Sequence, residues 1–412
     1  MAVISYRARS LAPVSAELIP NGQLEIADGV VQRIVRAEPG TRGPVDLGDV
    51  LVVPGLVNAH THLELSACRA RVPFEGAFVD WIEALVRRGY LESDPADRAA
   101  ESDRALCASL RAGVTAVADI ATGPHMLERW RNAPGPVVGF LEVTGMGTRR
   151  AGTHPQSFAA LAPLAAREPS TGCYRVGLSP HAPYSVAPEI YRAVADFARV
   201  TGRHVATHLA ETREEIEFLA TGTGPFRDML ERWGLWDGSF EAPGCSPVEY
   251  ADRLGLLAAR PLLAHVNYVS DGDLDLLAAS GAPVVYCPRS HAFFEHAPHP
   301  CGAMLARGIP VCIGTDSLAS NESLSVLDEL RFLHRRNGSL APATLLAMGT
   351  LAGARALGLG AQCGSLETGK RADFVAIPLS DPDTDDPLAD VLASDRAPSA
   401  VFVSGRRVSI DA

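Results

Sequence analysis

Residues 54–66 read P-G-L-V-N-A-H-T-H-L-E-L-S, with two histidines one residue apart at the end of an apolar run. Successive side chains of a strand point to opposite faces, so His60 and His62 share one. Two neutral imidazoles on one face make half of a metal site. A turn carrying two solvated histidines would read the same way, and the pair alone does not choose. Other apolar runs also end in polar residues: Asp119, Glu142, His181, His208 with Glu211 three positions later, His265, Arg289 and Asp316. One such residue is readily a satisfied core side chain. Metal-type side chains repeated at corresponding strand ends are not explained by packing and point to a metal-dependent site.

The elements that must position them are eight short runs rich in β-branched residues: Leu56–His62, Val114–Ile120, Val137–Val143, Tyr174–Ser179, His204–Leu209, Leu262–Val266, Pro283–Cys287 and Pro310–Thr315. Between them lie segments of helical periodicity, such as 188–200 and 272–280. Near-continuous apolar strands alternating with helices indicate parallel strands covered on both faces. Eight of them predict an α/β chain with a (β/α)8 TIM-type barrel, whose catalytic side chains stand at the C-terminal ends of strands. The competing reading is a doubly wound open sheet, weakened because no G-x-G-x-x-G follows the first strand. Residues 1–53 and 364–412 instead alternate like solvated strands, with Asp28-Gly29 as a hairpin signal. They are expected to form one small β-sandwich domain from both termini, with the barrel, 54–363, inserted between them.

Composition narrows the function. The chain has 412 residues, is 47% hydrophobic and carries a formal net charge of −11 without a basic tract, which argues against nucleic-acid backbones and anionic membranes as partners. The expected partner is a small-molecule substrate, and a homo-oligomer stays open. No apolar run approaches the ~20 residues of a membrane span. Met1 to Ser10 shows no apolar signal-peptide core, and the eight cysteines are scattered with no C-x-x-C, so a cytoplasmic protein with free thiols is expected. The single lysine, Lys370, lies in the terminal region, which removes Schiff-base catalysis, pyridoxal phosphate anchoring and a Walker A loop.

The stretches P-G-L-V-N-A-H-T-H, T-H-L-A-E-T, L-A-H-V, G-T-D-S and G-S-L-E-T-G-K-R-A-D-F-V resemble the amidohydrolase superfamily, in particular its mononuclear-metal deaminase and chlorohydrolase branch, along essentially the whole chain. The resemblance implies that His60, His62, His208 and Asp316 bind one divalent metal. Three imidazoles and a carboxylate suit Zn²⁺ with a water in the remaining position, and Fe²⁺ is not separated from it by ligand type. Such an ion lowers the pKa of its water to about 7, so hydroxide attack with release of ammonia is the expected reaction. Glu211 is the candidate proton shuttle, although E-T-R-E-E would also suit the first turn of a helix. His265 is expected to hydrogen-bond the attacking oxygen, and Asp316 to accept a proton from the water. A carbamylated-lysine bridge to a second metal is excluded by the position of Lys370, which leaves only Glu142 as a conceivable bridge.

Substrate signals are weaker. S-P-H-A-P-Y-S, residues 179–185, resembles adenosine-type deaminases of the branch, in which the residue matching His181 contacts purine or sugar. Trp81 is a candidate pocket wall or a core residue of a helix face, and Glu64 faces the mouth if its strand continues. Arg289, in C-P-R-S-H-A-F-F, is a planar fork suited to a carboxylate, or a packing arginine. An arginine there, with H-T-H-L-E-L-S, resembles the aminodeoxyfutalosine deaminases of menaquinone biosynthesis. The expected substrate is therefore 6-amino-6-deoxyfutalosine. S-adenosylhomocysteine, methylthioadenosine or adenosine comes next, then another nitrogen heterocycle. A non-catalytic metal-binding protein would need a missing ligand or acid, and none is missing.

Overall fold

A computed structural model describes residues 3–38, 43–171, 173–336 and 338–409. The apolar runs form two four-stranded parallel sheets. Leu56–Thr61, Val114–Ala121, Val137–Val143 and Tyr174–Pro180 lie side by side in chain order, as do Ala206–Leu209, Leu262–His265, Val284–Tyr286 and Val311–Ile313. The first three strands are buried along their whole length, as strands covered on both faces must be. The two sheets touch at both edges. Leu178 pairs in parallel with Val205, and the amides of Thr315 and Asp316 both donate to the His60 carbonyl at 3.1 Å. At this second edge Asn58 donates through Nδ2 to Thr315 Oγ1 at 2.7 Å and accepts from the Thr315 amide at 3.1 Å. A Cβ on Gly314 would stand 2.8 Å from His60 Cβ, so only glycine lets the strands approach there.

Helices cross between strands where their caps dictate. Pro188–Thr201 starts on a proline and stops at Gly202, φ 66°, and Asp271–Ser280 carries a Ser270–Asp273 capping box and stops at Gly281, φ 64°.

The terminal strands pair into one eight-stranded mixed sheet that takes strands from both chain ends, where the alternation had suggested a sandwich. Its alternating faces serve two cores. Val52, Phe374, Ala376 and Phe402 pack with Ala8 and Leu24, while Leu51, Val53, Val375 and Ile377 join the large core under the parallel strands. Among the described residues no helix is long and apolar enough to cross a membrane.

Candidate active site

The first strand carries His60 and His62 to its C-terminal end, and the fifth, sixth and eighth bring His208, His265 and Asp316 to the same place. His60, His62 and Asp316 hold their nitrogen and oxygen atoms within 4.8 Å of one another, as do His60, His208 and His265. Nε2 of His60 and of His62 each lie 3.9 Å from Asp316 Oδ1, and the Nε2 atoms of His62 and His208 are 3.1 Å apart. Nδ1 of His208 sits 3.0 Å from the His181 carbonyl, so its proton belongs there and Nε2 faces inward bare. His60 Nε2 is buried and has no hydrogen-bond partner. Burial holds the rings of His60, His62 and His208 below their usual pKa, His208 at about 4. Unprotonated nitrogens converging on a carboxylate in a water-poor site fit a single divalent cation.

Asp316 is fixed by its own donors. Ser290 and Ser320 hydroxyls donate to Oδ2 at 2.7 and 3.1 Å, and the Ser317 amide donates to Oδ1 at 2.8 Å. Burial works to raise its pKa, while any positive charge on the His265, His62 and His60 rings and the Ser290 hydrogen bond work to lower it, and the net shift is downward.

Glu211 follows the fifth strand, with Oε1 3.5 Å from His265 Nε2. Burial, then the charges of Asp316 and Glu215, raise its pKa well above the carboxylate range. The loop is tied in place by Glu215, which accepts the amides of Ala210 and Glu211 at 2.9 and 2.8 Å, and by Asn267, whose Nδ2 donates to the Glu211 carbonyl at 3.0 Å.

These groups open into a cavity of about 1000 Å³ lined by His181, Trp81, Glu142, Phe294 and Tyr184, and by the solvent-exposed Arg149 and Trp233. His181, its pKa lowered by burial to about 4, is bonded through Nδ1 to Ser185 Oγ at 2.6 Å. Trp81 is both wall and core, since it lines the cavity while its Nε1 donates to the Val72 carbonyl at 3.0 Å. Glu142 accepts from Gln156 at 3.3 Å, and burial raises its pKa to about 7.

Two expectations need correction. Glu64 does not face the mouth. The strand gives way to a 3-10 turn at Leu63, which buries the carboxylate against the Thr122 amide at 2.8 Å and His125 at 2.6 Å. Arg289 is not among the residues that line the cavity. The helix that begins at Pro288 directs its guanidinium to Glu322 at 2.7 Å and Ser323 at 3.0 Å. Asp119 is likewise structural, accepting from the Leu63 amide at 2.8 Å and the Trp130 indole at 2.7 Å. Ser290, Ser320, Asn267 and Arg149 were not singled out from the sequence. Ser290 and Arg149 lie in short helical segments and Asn267 and Ser320 in loops, all too short for a periodicity to mark a direction.

The residue pattern of the Amidohydrolase family matches residues 51–408. The chain belongs to the amidohydrolase family. It is a hydrolase of carbon–nitrogen bonds other than peptide bonds. This amidohydrolase is 31% identical over 333 residues to the aminodeoxyfutalosine deaminase of Deinococcus radiodurans, covering 75% of this chain and 73% of that one. It is 29% identical over 403 residues to the 5-methylthioadenosine/S-adenosylhomocysteine deaminase of Moorella thermoacetica, covering 93% and 87%. Its fold matches the aminofutalosine deaminase of Helicobacter pylori in complex with methylthio-coformycin, with a TM-score of 0.84 at 22% identity over 98% of this chain and all of that one.

Proposed function

We propose that this amidohydrolase deaminates 6-aminopurine nucleosides hydrolytically, with 6-amino-6-deoxyfutalosine as its preferred substrate. The reading takes the eight parallel strands as a closed (β/α)8 barrel, residues 54–363, with residues 1–53 and 364–412 as the second domain. The observation that carries it is the Glu211–His265 pair, 3.5 Å apart, beside His60, His62, His208 and Asp316.

Those four residues would hold Zn²⁺, or Fe²⁺ with the same donors. The bound cation supplies Lewis acidity that makes a water nucleophilic near neutral pH. The rest belongs to the chain. Glu211, protonated through burial, donates to the ring nitrogen next to the carbon under attack. Asp316, ionised, takes the proton released by the water, and His265 Nε2–H bonds the oxygen that adds to that carbon. The C–N bond to the exocyclic amine then breaks: the proton held by Asp316 leaves with ammonia, and the proton of the added hydroxyl passes to Glu211 as that oxygen becomes the carbonyl, which restores the acid. His181 and Trp81 bound the space for purine and ribose.

The finer substrate choice rests on the relative from D. radiodurans. A carboxylate at the far end of the nucleoside requires a cation. Arg149 lines the cavity and takes over the part first given to Arg289. Ammonia release from purified protein across 6-amino-6-deoxyfutalosine, S-adenosylhomocysteine, methylthioadenosine and adenosine tests this. The expected order places 6-amino-6-deoxyfutalosine first. Preference for methylthioadenosine would shift the assignment to the other group of relatives, and no release from any of the four would sink it.

A further inference from the structure

His265 and Val266 both adopt left-handed backbone conformations, with φ 71° and 53°. A β-branched residue avoids this region, so the surroundings must impose it. Several restraints are visible. The Val266 amide donates to the Leu209 carbonyl at 2.9 Å and the Asn267 amide to the Ala210 carbonyl at 2.9 Å. These fix the chain after His265. The carbonyl of His265 itself, turned out of the strand ladder, meets the His299 side chain, with Nε2 2.9 Å from the oxygen.

His299 is built for that contact. Its ring stacks on Tyr286 at 3.8 Å and 14°, which sets the ring plane. Nδ1 is buried and has no hydrogen-bond partner, and a carbonyl only accepts, so the ring proton sits on Nε2. Burial keeps the ring neutral, its pKa down at about 3. Neighbouring His291 and His296 are engaged elsewhere, on the Ala297 carbonyl and the Tyr268 hydroxyl.

We propose that His299 is a positioning residue: by donating to the His265 carbonyl it holds His265 in the left-handed conformation that aims its imidazole at the reacting oxygen. The inference rests on the deaminase reading for the role of His265, and on the hydrogen bond alone for the placement.

The test uses the full-length, metal-loaded protein, as substrate the nucleoside of the four-member panel above that it deaminates fastest, and methylthio-coformycin as a mimic of the addition product. His299→Phe keeps an aromatic ring on Tyr286 and removes the donor, whereas His299→Gln keeps a donor. In His299→Phe, kcat should fall ~10- to 100-fold, as misplacement of a reacting group costs, while KM stays within about twofold. Affinity for methylthio-coformycin should drop by the same factor, metal content should not change, and His299→Gln should recover most of the loss. The imidazole NMR signals of His265 should move in His299→Phe and not in His299→Gln. If His299→Phe does not fold, His299→Met takes its place. Unchanged kcat in His299→Phe, equal losses in both variants, or a loss confined to KM or metal content would overturn the proposal. A wild-type protein inactive on methylthioadenosine and on every other 6-aminopurine nucleoside would sink the deaminase reading only, and the His265 signals would still decide the positioning.

Discussion

Nε2 of His265 stands 3.5 Å from Oε1 of Glu211, and burial shifts the two groups in opposite directions. It raises the carboxyl, with the charges of Asp316 and Glu215 adding to it, and lowers the imidazole. Both shifts favour a proton on Glu211 and a neutral His265, which is the division the proposed reaction asks of them, Glu211 as acid and His265 as neutral donor.

Glu211→Gln keeps the shape and removes the exchangeable proton. Turnover should fall at least ~10²-fold, the lower end for general acid–base catalysis, while metal content is retained because Glu211 is outside the ligand set. Near-normal turnover in this variant would mean that another group carries the proton.

Elemental analysis of metal-replete protein should find about one Zn²⁺ or Fe²⁺ per chain, and His60→Ala should lose it. His208 spends Nδ1 on the His181 carbonyl, leaving a single nitrogen for a cation. Two tightly held ions per chain would contradict the single site and direct attention to Glu142, which lies with His181 and His208 in a further group of donors within 4.8 Å.

On the proposed reading, Arg149 serves substrate recognition and Arg289 the scaffold. Arg149→Met should lower kcat/KM for a nucleoside with a carboxylate tail roughly 5- to 10-fold, the worth of one charge-assisted bond discounted for an exposed partner. Activity on adenosine should hardly change. Arg289→Met breaks the contacts to Glu322 and Ser323 and should reduce both activities alike. The reverse pattern in steady-state kinetics would return the carboxylate to Arg289.

Glu329 gives a pH dependence of stability. It is buried beneath the site, accepting from Asn321 Nδ2 at 2.7 Å and the Arg289 amide at 2.9 Å, and burial raises its pKa from 4.5 to about 8. The folded state holds this proton more tightly than the unfolded one. Its contribution is therefore complete below pH 4.5 and is lost as pH rises through 8. Glu329→Gln removes the titration, so wild type should lose stability relative to the variant between pH 5 and 8.5 in denaturant melts. Parallel curves for the two proteins would show that Glu329 does not titrate in this range.

His60, His62, His208, His265 and Asp316 were legible in the chain because each stands at or just past the end of an apolar run. Strand periodicity and the parallel α/β pattern together send such positions to one rim. Glu64 and Arg289 were not legible, since each lies past a strand end, where a 3-10 turn or a helix start chooses the direction of the side chain. Ser290 on Asp316, Asn267 on the Glu211 carbonyl and His299 on the His265 carbonyl depend on contacts between segments far apart in sequence, so no local spacing encodes them. The residue types and their order thus determined which chemistry is available. Tertiary packing decided which protons are held, because the pKa of a buried carboxyl or imidazole depends on the water excluded and the charges gathered around it.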